Sequence, residues 1–228
     1  LIEGLPSVAI GLLALYYLDD NIKKATWLTD KEKALVGDDL AARDSTPKHS
    51  SIRAAFKLPE TWLMSGIYFF LVMGLYGLNF WMPTIILELG YEDLVVNGMI
   101  NMIPFGAAAI MMVLVGWNAD RVNERYWHIV VPALIGASAL LVSIGTLGSP
   151  ILSIIALTVA ACGIFSAIPQ AWGLVTTFVT GAAATASIAI VNSIGNLSGF
   201  VGPFAIGLLR DMTGSTAVGV GLLATSLV

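Results

Sequence analysis

Five stretches of this sequence run for more than twenty residues without a single Asp, Glu, Lys or Arg. They are roughly Thr61–Ile86, Val95–Val115, Trp127–Leu147, Ile151–Phe178 and Ala182–Leu209. A helix rises about 1.5 Å per residue and the hydrocarbon of a bilayer is about 30 Å thick, so each run is long enough to cross it. A lipid-exposed backbone must satisfy its own hydrogen bonds, which leaves helices or closed barrels. These runs are continuous rather than alternating, and too long for barrel strands. The chain is therefore expected to be an all-α membrane protein. Composition agrees: 57% of the residues are hydrophobic and 11% charged, against about 25% charged in a soluble domain.

Leu1–Leu18 is a further apolar run, broken by Glu3 and Pro6, and Thr216–Val228 is a last, short one. Both ends look cut, so the chain is read as a fragment, and no signal peptide is evident. Between residues 19 and 60 the chain is polar, with eight Lys/Arg and eight Asp/Glu. Thr29 followed by Glu32 is a capping box, which predicts a short helix from Asp30 to about Ala42. The stretch around Pro47 reads as a linker.

Orientation follows from the basic residues. Eight lie in the 19–60 segment, and Arg121 and Arg125 lie two crossings later, on the same side. Only Arg210 of the eleven falls opposite. The positive-inside rule makes residues 19–60 and 116–125 cytoplasmic.

Several function classes find no support. There is no H-E-x-x-H, no G-x-S-x-G and no P-loop. His49 lies in the polar segment and His128 at the edge of a span. Cys162 is single and sits in an apolar run, where a small apolar filler is the plain reading. No catalytic residue, metal site, cofactor or nucleic-acid partner is expected. Between Thr61 and Leu209 no Asp, Glu, Lys or Arg lies deep in a span. Such residues commonly mark proton relays and counter-charges, so any titrating coupling group is expected elsewhere. Glu3 is the exception, near the outer end of its run.

What the spans carry at depth is neutral polarity. Asn192 and Asn196 are four apart and share a helix face. Amides near the membrane centre are costly without a partner or a water-filled cavity; they can bond a neighbouring helix or line such a cavity, and cavity lining is preferred. A second stripe is Ser166, Gln170, Gly173 and Thr177, with Trp172 beside it. A third is Tyr68, Val72, Tyr76 and Asn79, with Trp81 near the outer end. Asn101 lies on another span. Gly195, Gly199 and Gly202 form a face where a neighbouring helix can approach closely. The segment Gly116–Arg125 packs Asp120, Glu124, Arg121 and Arg125 into what reads as a tight turn between spans: a solvated anchor, or a gate whose charge pairs hold one conformation.

That segment resembles the G-x-x-x-D-R-x-G-R loop motif of the major facilitator superfamily, in the copy between helices eight and nine. Further segments resemble the anion:cation symporter family within it. Glu3-Gly4-Leu5-Pro6 with Trp27-Leu28-Thr29 and Glu32-Lys33 is similar to its helix-six exit and central loop. Asn79-Phe80-Trp81-Met82-Pro83-Thr84-Ile85-Ile86 is similar to its helix-seven end. Residues 189–203, from Ala189 through Asn192, Gly195, Asn196 and Gly199 to Pro203, resemble its helix-eleven signature. Ala119 stands where that family usually has Ser, Asn123 where the wider motif has Gly, and Gln170 and Val175 where the tenth helix often has Pro.

The resemblance implies a major facilitator fold: the C-terminal six-helix bundle plus the end of helix six. Residues 1–18 would be that end, 19–60 the cytoplasmic central loop, and 61–228 helices seven to twelve, the last one truncated. The implied function is proton-coupled uptake, by alternating access, of a small organic anion such as a carboxylate or sugar acid, in a bacterial inner membrane. The missing N-terminal half would be the partner. Asn192, Asn196, Gln170, Asn79, Tyr76, Trp172 and Asn101 would meet substrate. Gly116, Asp120, Arg121 and Arg125 would gate. The alternatives are an exporter or phosphate-linked exchanger of the same superfamily and, more remotely, a membrane scaffold or enzyme.

Overall fold

Helix boundaries in this chain are written in its caps. Asp93 starts one long helix by accepting hydrogen bonds from Val95 N and Val96 N, both at 2.9 Å. Asn123 ends the same helix with φ at 51°, the left-handed conformation that asparagine tolerates better than most residues. This is the position where the loop motif has Gly, so Asn123 keeps the turn. Thr29 and Glu32 close the expected capping box: Thr29 N donates to Glu32 Oε2 at 2.9 Å and Glu32 N to Thr29 Oγ1 at 3.4 Å.

The computed structural model describes residues 4–19, 21–22, 24–44, 52–146, 148–178 and 181–228. Glu3, Pro47 and His49, noted above, lie outside the described residues. The chain divides into two compact units, Leu1–Lys48 and His49–Val228.

The first unit holds α1 (Gly4–Tyr17) and α2 (Asp30–Asp44). α1 is apolar all round and buries none of its residues. α2 begins at the expected residue and runs slightly past the expected end.

The second unit holds α3 (Ile52–Lys57), α4 (Pro59–Glu88), α5 (Leu94–Val122), α6 (Trp127–Gly145), α7 (Pro150–Phe178), α8 (Gly181–Thr213) and α9 (Ala217–Ser226). No strand occurs among the described residues. Five helices, α4 to α8, are long and apolar enough to cross a membrane. α3 was not expected from the sequence. It packs on α8.

Two helices outrun their apolar segments. Gly116–Val122, read above as part of a tight turn, is helical, and so is Arg210–Thr213. The connection after α5 is only residues 123–126. In each case a basic residue, Arg121 or Arg210, stands in the last turn, where it complements the negative end of the helix dipole.

α4 packs chiefly against α8, and α7 against α5, α6 and α4. α9 rests on α6, α8 and α4. Leu78, Met82, Leu140, Leu157, Ile164, Ile206 and Leu223 are fully buried at the centre. α5 buries only Asn97, Pro104, Ala108 and Ala119. Its remaining apolar surface, including Met99, Ile110 and Val113, is exposed, as suits a helix with one flank in lipid.

Candidate functional site

α8 has two polar or small-residue faces, and the structure uses them differently. Gly195, Gly199 and Gly202 face α4. A Cβ on Gly195 would overlap the Tyr68 ring. One on Gly199 would lie 2.9 Å from Tyr76 Cδ2, and one on Gly202 3.0 Å from Met73. This glycine face is a packing surface, as the spacing suggests.

The other face carries Asn192, Asn196, Phe200 and Phe204 at steps of four. All four are exposed. The Phe200 and Phe204 rings stack with centroids 5.4 Å apart and planes 15° apart. Asn196 Nδ2 donates to Asn192 O at 2.9 Å and to Asn192 Oδ1 at 2.8 Å. The pair is thus aligned within its own helix. Asn192 Nδ2 and Asn196 Oδ1 are not used in that contact.

Tyr76 and Asn79 extend the surface along α4. Tyr76 is 42% exposed, with its ring edge on Gly199, one helical turn from Asn196. Asn79 and Phe80 are exposed beyond it. Trp172 reaches the same region from α7. Its ring meets Tyr68 edge-on, with centroids 4.8 Å apart, and Tyr68 lies over Gly195. Asn192, Asn196, Tyr76 and Asn79 are thus exposed on the packed α4–α8 pair, and Trp172 joins them from α7 only through the buried Tyr68.

Gln170 and Asn101 are placed elsewhere. Gln170 is 3% exposed on α7, and its Nε2 stands 3.4 Å from where a Cβ on Gly116 of α5 would be. Asn101 is half-buried on α5, between Asn97 and the Phe105–Phe165 ring contact to α7. Asn101 Oδ1, Gln170 Oε1 and the buried Ser166 Oγ have no hydrogen-bond partner among the described residues. The seam between α5 and α7 is polar but incompletely bonded.

At the end of α5 the charged residues separate into distinct contacts. Arg125 Nη2 lies 2.9 Å from Asp120 Oδ1. Arg121 stacks over Trp117 of its own helix, 5.5 Å from the ring centre. Glu124 accepts from Trp127 N at 3.0 Å and so caps α6. This backbone hydrogen bond, more than the adjacent His128, holds the Glu124 carboxyl below its ordinary value of 4.5. His128 Nδ1 lies 3.1 Å from Glu124 Oε2, and its Nε2 2.9 Å from Asn118 Nδ2.

Sequence reasoning missed the cluster at the opposite end. Arg210 Nε donates to Glu88 Oε1 at 3.2 Å, Thr216 Oγ1 donates to Glu88 Oε2, and the guanidinium sits 5.5 Å from the Trp81 ring centre. Trp81 Nε1 donates to Pro203 O at 3.1 Å. Trp81 is thus a tether between α4 and α8. It also missed Phe200 and Phe204, although their four-residue step from Asn192 and Asn196 is visible in the sequence. A groove of 690 Å³ between α4, α6 and α9 is lined mostly by apolar residues such as Met64, Leu71, Ile129 and Leu222, with Glu60, Thr225 and Ser226 among its polar ones. No group of metal-ligating side chains occurs among the described residues.

The sequence pattern of the Major Facilitator Superfamily matches residues 1–203. A quinolone resistance transporter of Acinetobacter baumannii is 38% identical over 97% of this chain and 51% of its own length. A protein of Agrobacterium vitis named "Putative tartrate transporter" is 39% identical over all of this chain and 53% of its own. The inner membrane transport protein RhmT of Escherichia coli is 30% identical over 98% of this chain and 52% of its own. The chain spans about half the length of the curated relatives it matches. It is a multi-pass, all-helical membrane protein, and it belongs to the Major Facilitator Superfamily.

Proposed function

We propose that this chain forms one half of a secondary active transporter that takes up a small organic anion, coupled to protons, across a bacterial inner membrane. The observation that carries the reading is the exposed Asn192–Asn196 pair on a membrane-length helix. Exposed amides in hydrocarbon are costly. The stripe is therefore turned toward a water-filled cavity between this bundle and a second half. The half-length match to relatives with transporter names supports the same picture.

In this reading Asn192, Asn196 and Asn79 hydrogen-bond the carboxylate or hydroxyls of the substrate, and Tyr76 and Trp172 bound the pocket. Gln170 and Asn101 reach it only when the α5–α7 seam opens. The cytoplasmic end of α5, with Gly116, Asp120, Arg121 and Arg125, stabilises the cytoplasm-closed state. The two bundles rock about the midplane site. In this reading the titrating group belongs to the other half, because the spans of this one carry no Asp, Glu, Lys or Arg at depth. The name of the Agrobacterium vitis relative favours a carboxylate cargo.

The name of the Acinetobacter relative favours a second reading, export. Reconstitution of the full-length protein separates the two. Vesicles are offered a pool of small carboxylates with and without an inward proton gradient. Gradient-driven accumulation of one acid, abolished by a protonophore, supports uptake. Loss of a preloaded compound against protons, with no accumulation, supports export and removes the uptake reading.

A further inference from the structure

The asparagine edge of α8 runs on to an arginine. Asn192, Asn196, Gly199, Pro203, Gly207 and Arg210 follow one another at steps of three or four, so they share one face of the helix. α4 lies along this face. Tyr76 sits on Gly199, where a Cβ would be 2.9 Å from its Cδ2. Trp81 Nε1 donates to Pro203 O at 3.1 Å, and a Cβ on Gly207 would be 3.3 Å from Trp81 Cζ2. The Arg210 guanidinium then lies 5.5 Å from the Trp81 ring centre. From Asn196 to Arg210 the helix rises about 21 Å.

Arg210 is held but not saturated. Its Nε donates to Glu88 Oε1 at 3.2 Å, and its side chain is 40% exposed. That contact uses Nε and leaves outside it the two Nη groups, the fork that grips a carboxylate with two parallel hydrogen bonds. Glu88 is itself shared, because Thr216 Oγ1 donates to its Oε2. A partly exposed ion pair is weak enough to exchange partners. The ring of Trp81, tethered to α8, keeps the guanidinium in place when it does. Arg210 also stands alone in sign. Of the eleven Lys and Arg it is the one at this end of the spans, where Glu88, Glu92, Asp93 and Asp211 are the acids.

We propose that Arg210 is the carboxylate-binding group of an entry subsite, which Glu88 fills from within until an incoming organic acid displaces it. The subsite rests on the transporter reading above, in which this end of α4 and α8 faces outward. An organic acid brings the same charge and the same planar pair of oxygens that Glu88 presents, and a guanidinium matches both. Displacement leaves Glu88 with the Thr216 hydroxyl, so neither carboxylate loses every donor. The asparagines lie too far along the helix to touch the same small acid, so Arg210 receives it and they orient it afterwards.

The test labels the full-length protein with 5-fluorotryptophan and follows Trp81, assigned through Trp81→Phe, by fluorine NMR. Sodium acetate and sodium succinate are titrated at an ionic strength held constant with sodium chloride. Both acids should move the Trp81 signal saturably. Glu88→Gln should lower the half-saturating concentration about twofold to fivefold, the worth of a partly exposed ion pair. Arg210→Gln should abolish the saturable shift. A purely structural clasp would instead move the unliganded signal in both variants and give a saturable shift in neither. The subsite is overturned by a saturable shift that survives Arg210→Gln, or by a half-saturation in Glu88→Gln that is unchanged, raised or absent. It is overturned too by a shift that phosphatidylglycerol gives and neither acid does, which makes Arg210 a lipid contact. If Arg210→Gln does not fold, Glu88→Gln decides by itself. Uptake is measured on the same samples. Saturable binding without any transport by the parent removes the transporter reading and leaves the anion site. Transport without the shift does the reverse.

Discussion

Gly163 of α7 meets Gly136 of α6 backbone to backbone. A Cβ on Gly163 would lie 2.8 Å from Gly136 N and would overlap the Pro132 carbonyl. From the other side, a Cβ on Gly136 would lie 3.3 Å from Ala160 O. Without apolar contrast between lipid and side chain, helices in a membrane associate through close packing of this kind. Gly163→Ala is expected to destabilise by about 1–3 kcal/mol, the usual cost of overfilling a packed interior. Thermal unfolding in detergent checks it; an unchanged midpoint would show that the two helices can separate freely.

The Glu88–Arg210 pair is partly exposed, with side-chain accessibilities of 31% and 40%. Its removal by Glu88→Gln should cost less than about 1 kcal/mol, because solvent screens such pairs. Arg210→Ala should cost more than Glu88→Gln, since the guanidinium also covers Trp81. Thermal midpoints of both variants at low and high salt test this. Both differences should shrink with salt, and Arg210→Ala should keep the larger remainder.

Asn192→Ala and Asn196→Ala are expected to separate function from stability. Both side chains are exposed, so the thermal midpoint should hold. Loss of one hydrogen bond to a substrate corresponds to about 0.5–1.5 kcal/mol, or roughly a twofold to tenfold rise in the concentration for half-maximal transport. A variant with parental uptake at every substrate concentration would take that asparagine out of the site.

Glu124 makes stability at the connection pH-dependent. Its folded-state carboxyl is held below the ordinary value of 4.5, first by the Trp127 amide. The contribution is therefore fully present above 4.5 and is lost as the pH falls through the lower, folded-state value. The stability gap between the parent and Glu124→Gln should be constant near neutrality and close below about pH 4.5. A gap that widened on acidification would contradict the capping role.

Glu32 obeys the same sign, through the Thr29 backbone and hydroxyl. A peptide covering residues 26–44 should lose helicity on acidification, and Thr29→Ala should remove most of that pH dependence. Circular dichroism from pH 7 to 3 is sufficient. Equal loss in both peptides would remove the capping box as the cause.

Much of the fold was legible because the membrane imposes a simple rule. Charge-free length marks α4 to α8, and Thr29 with Glu32 marks the start of α2. The reading failed where helix and apolar run part company: Asp120 and Arg121 lie in a helix because a polar last turn can project into water and still satisfy its backbone. It also failed for α3, where six residues carry too little pattern to be recognised.

By itself the sequence determined that five segments form membrane-length helices, which ends carry the basic charge, and that glycines and amides repeat along α8. Those properties follow from local hydrogen bonding, length and periodicity, and each can be read from residues a few positions apart. Only the tertiary structure decided that Asn192 and Asn196 are exposed while Gln170, equally polar, is buried against Gly116. It also decided that Gly173 receives Arg125 and that Arg210 finds Glu88. These outcomes depend on how helices distant in sequence rotate and cross to bury their small residues, and no local periodicity encodes that rotation.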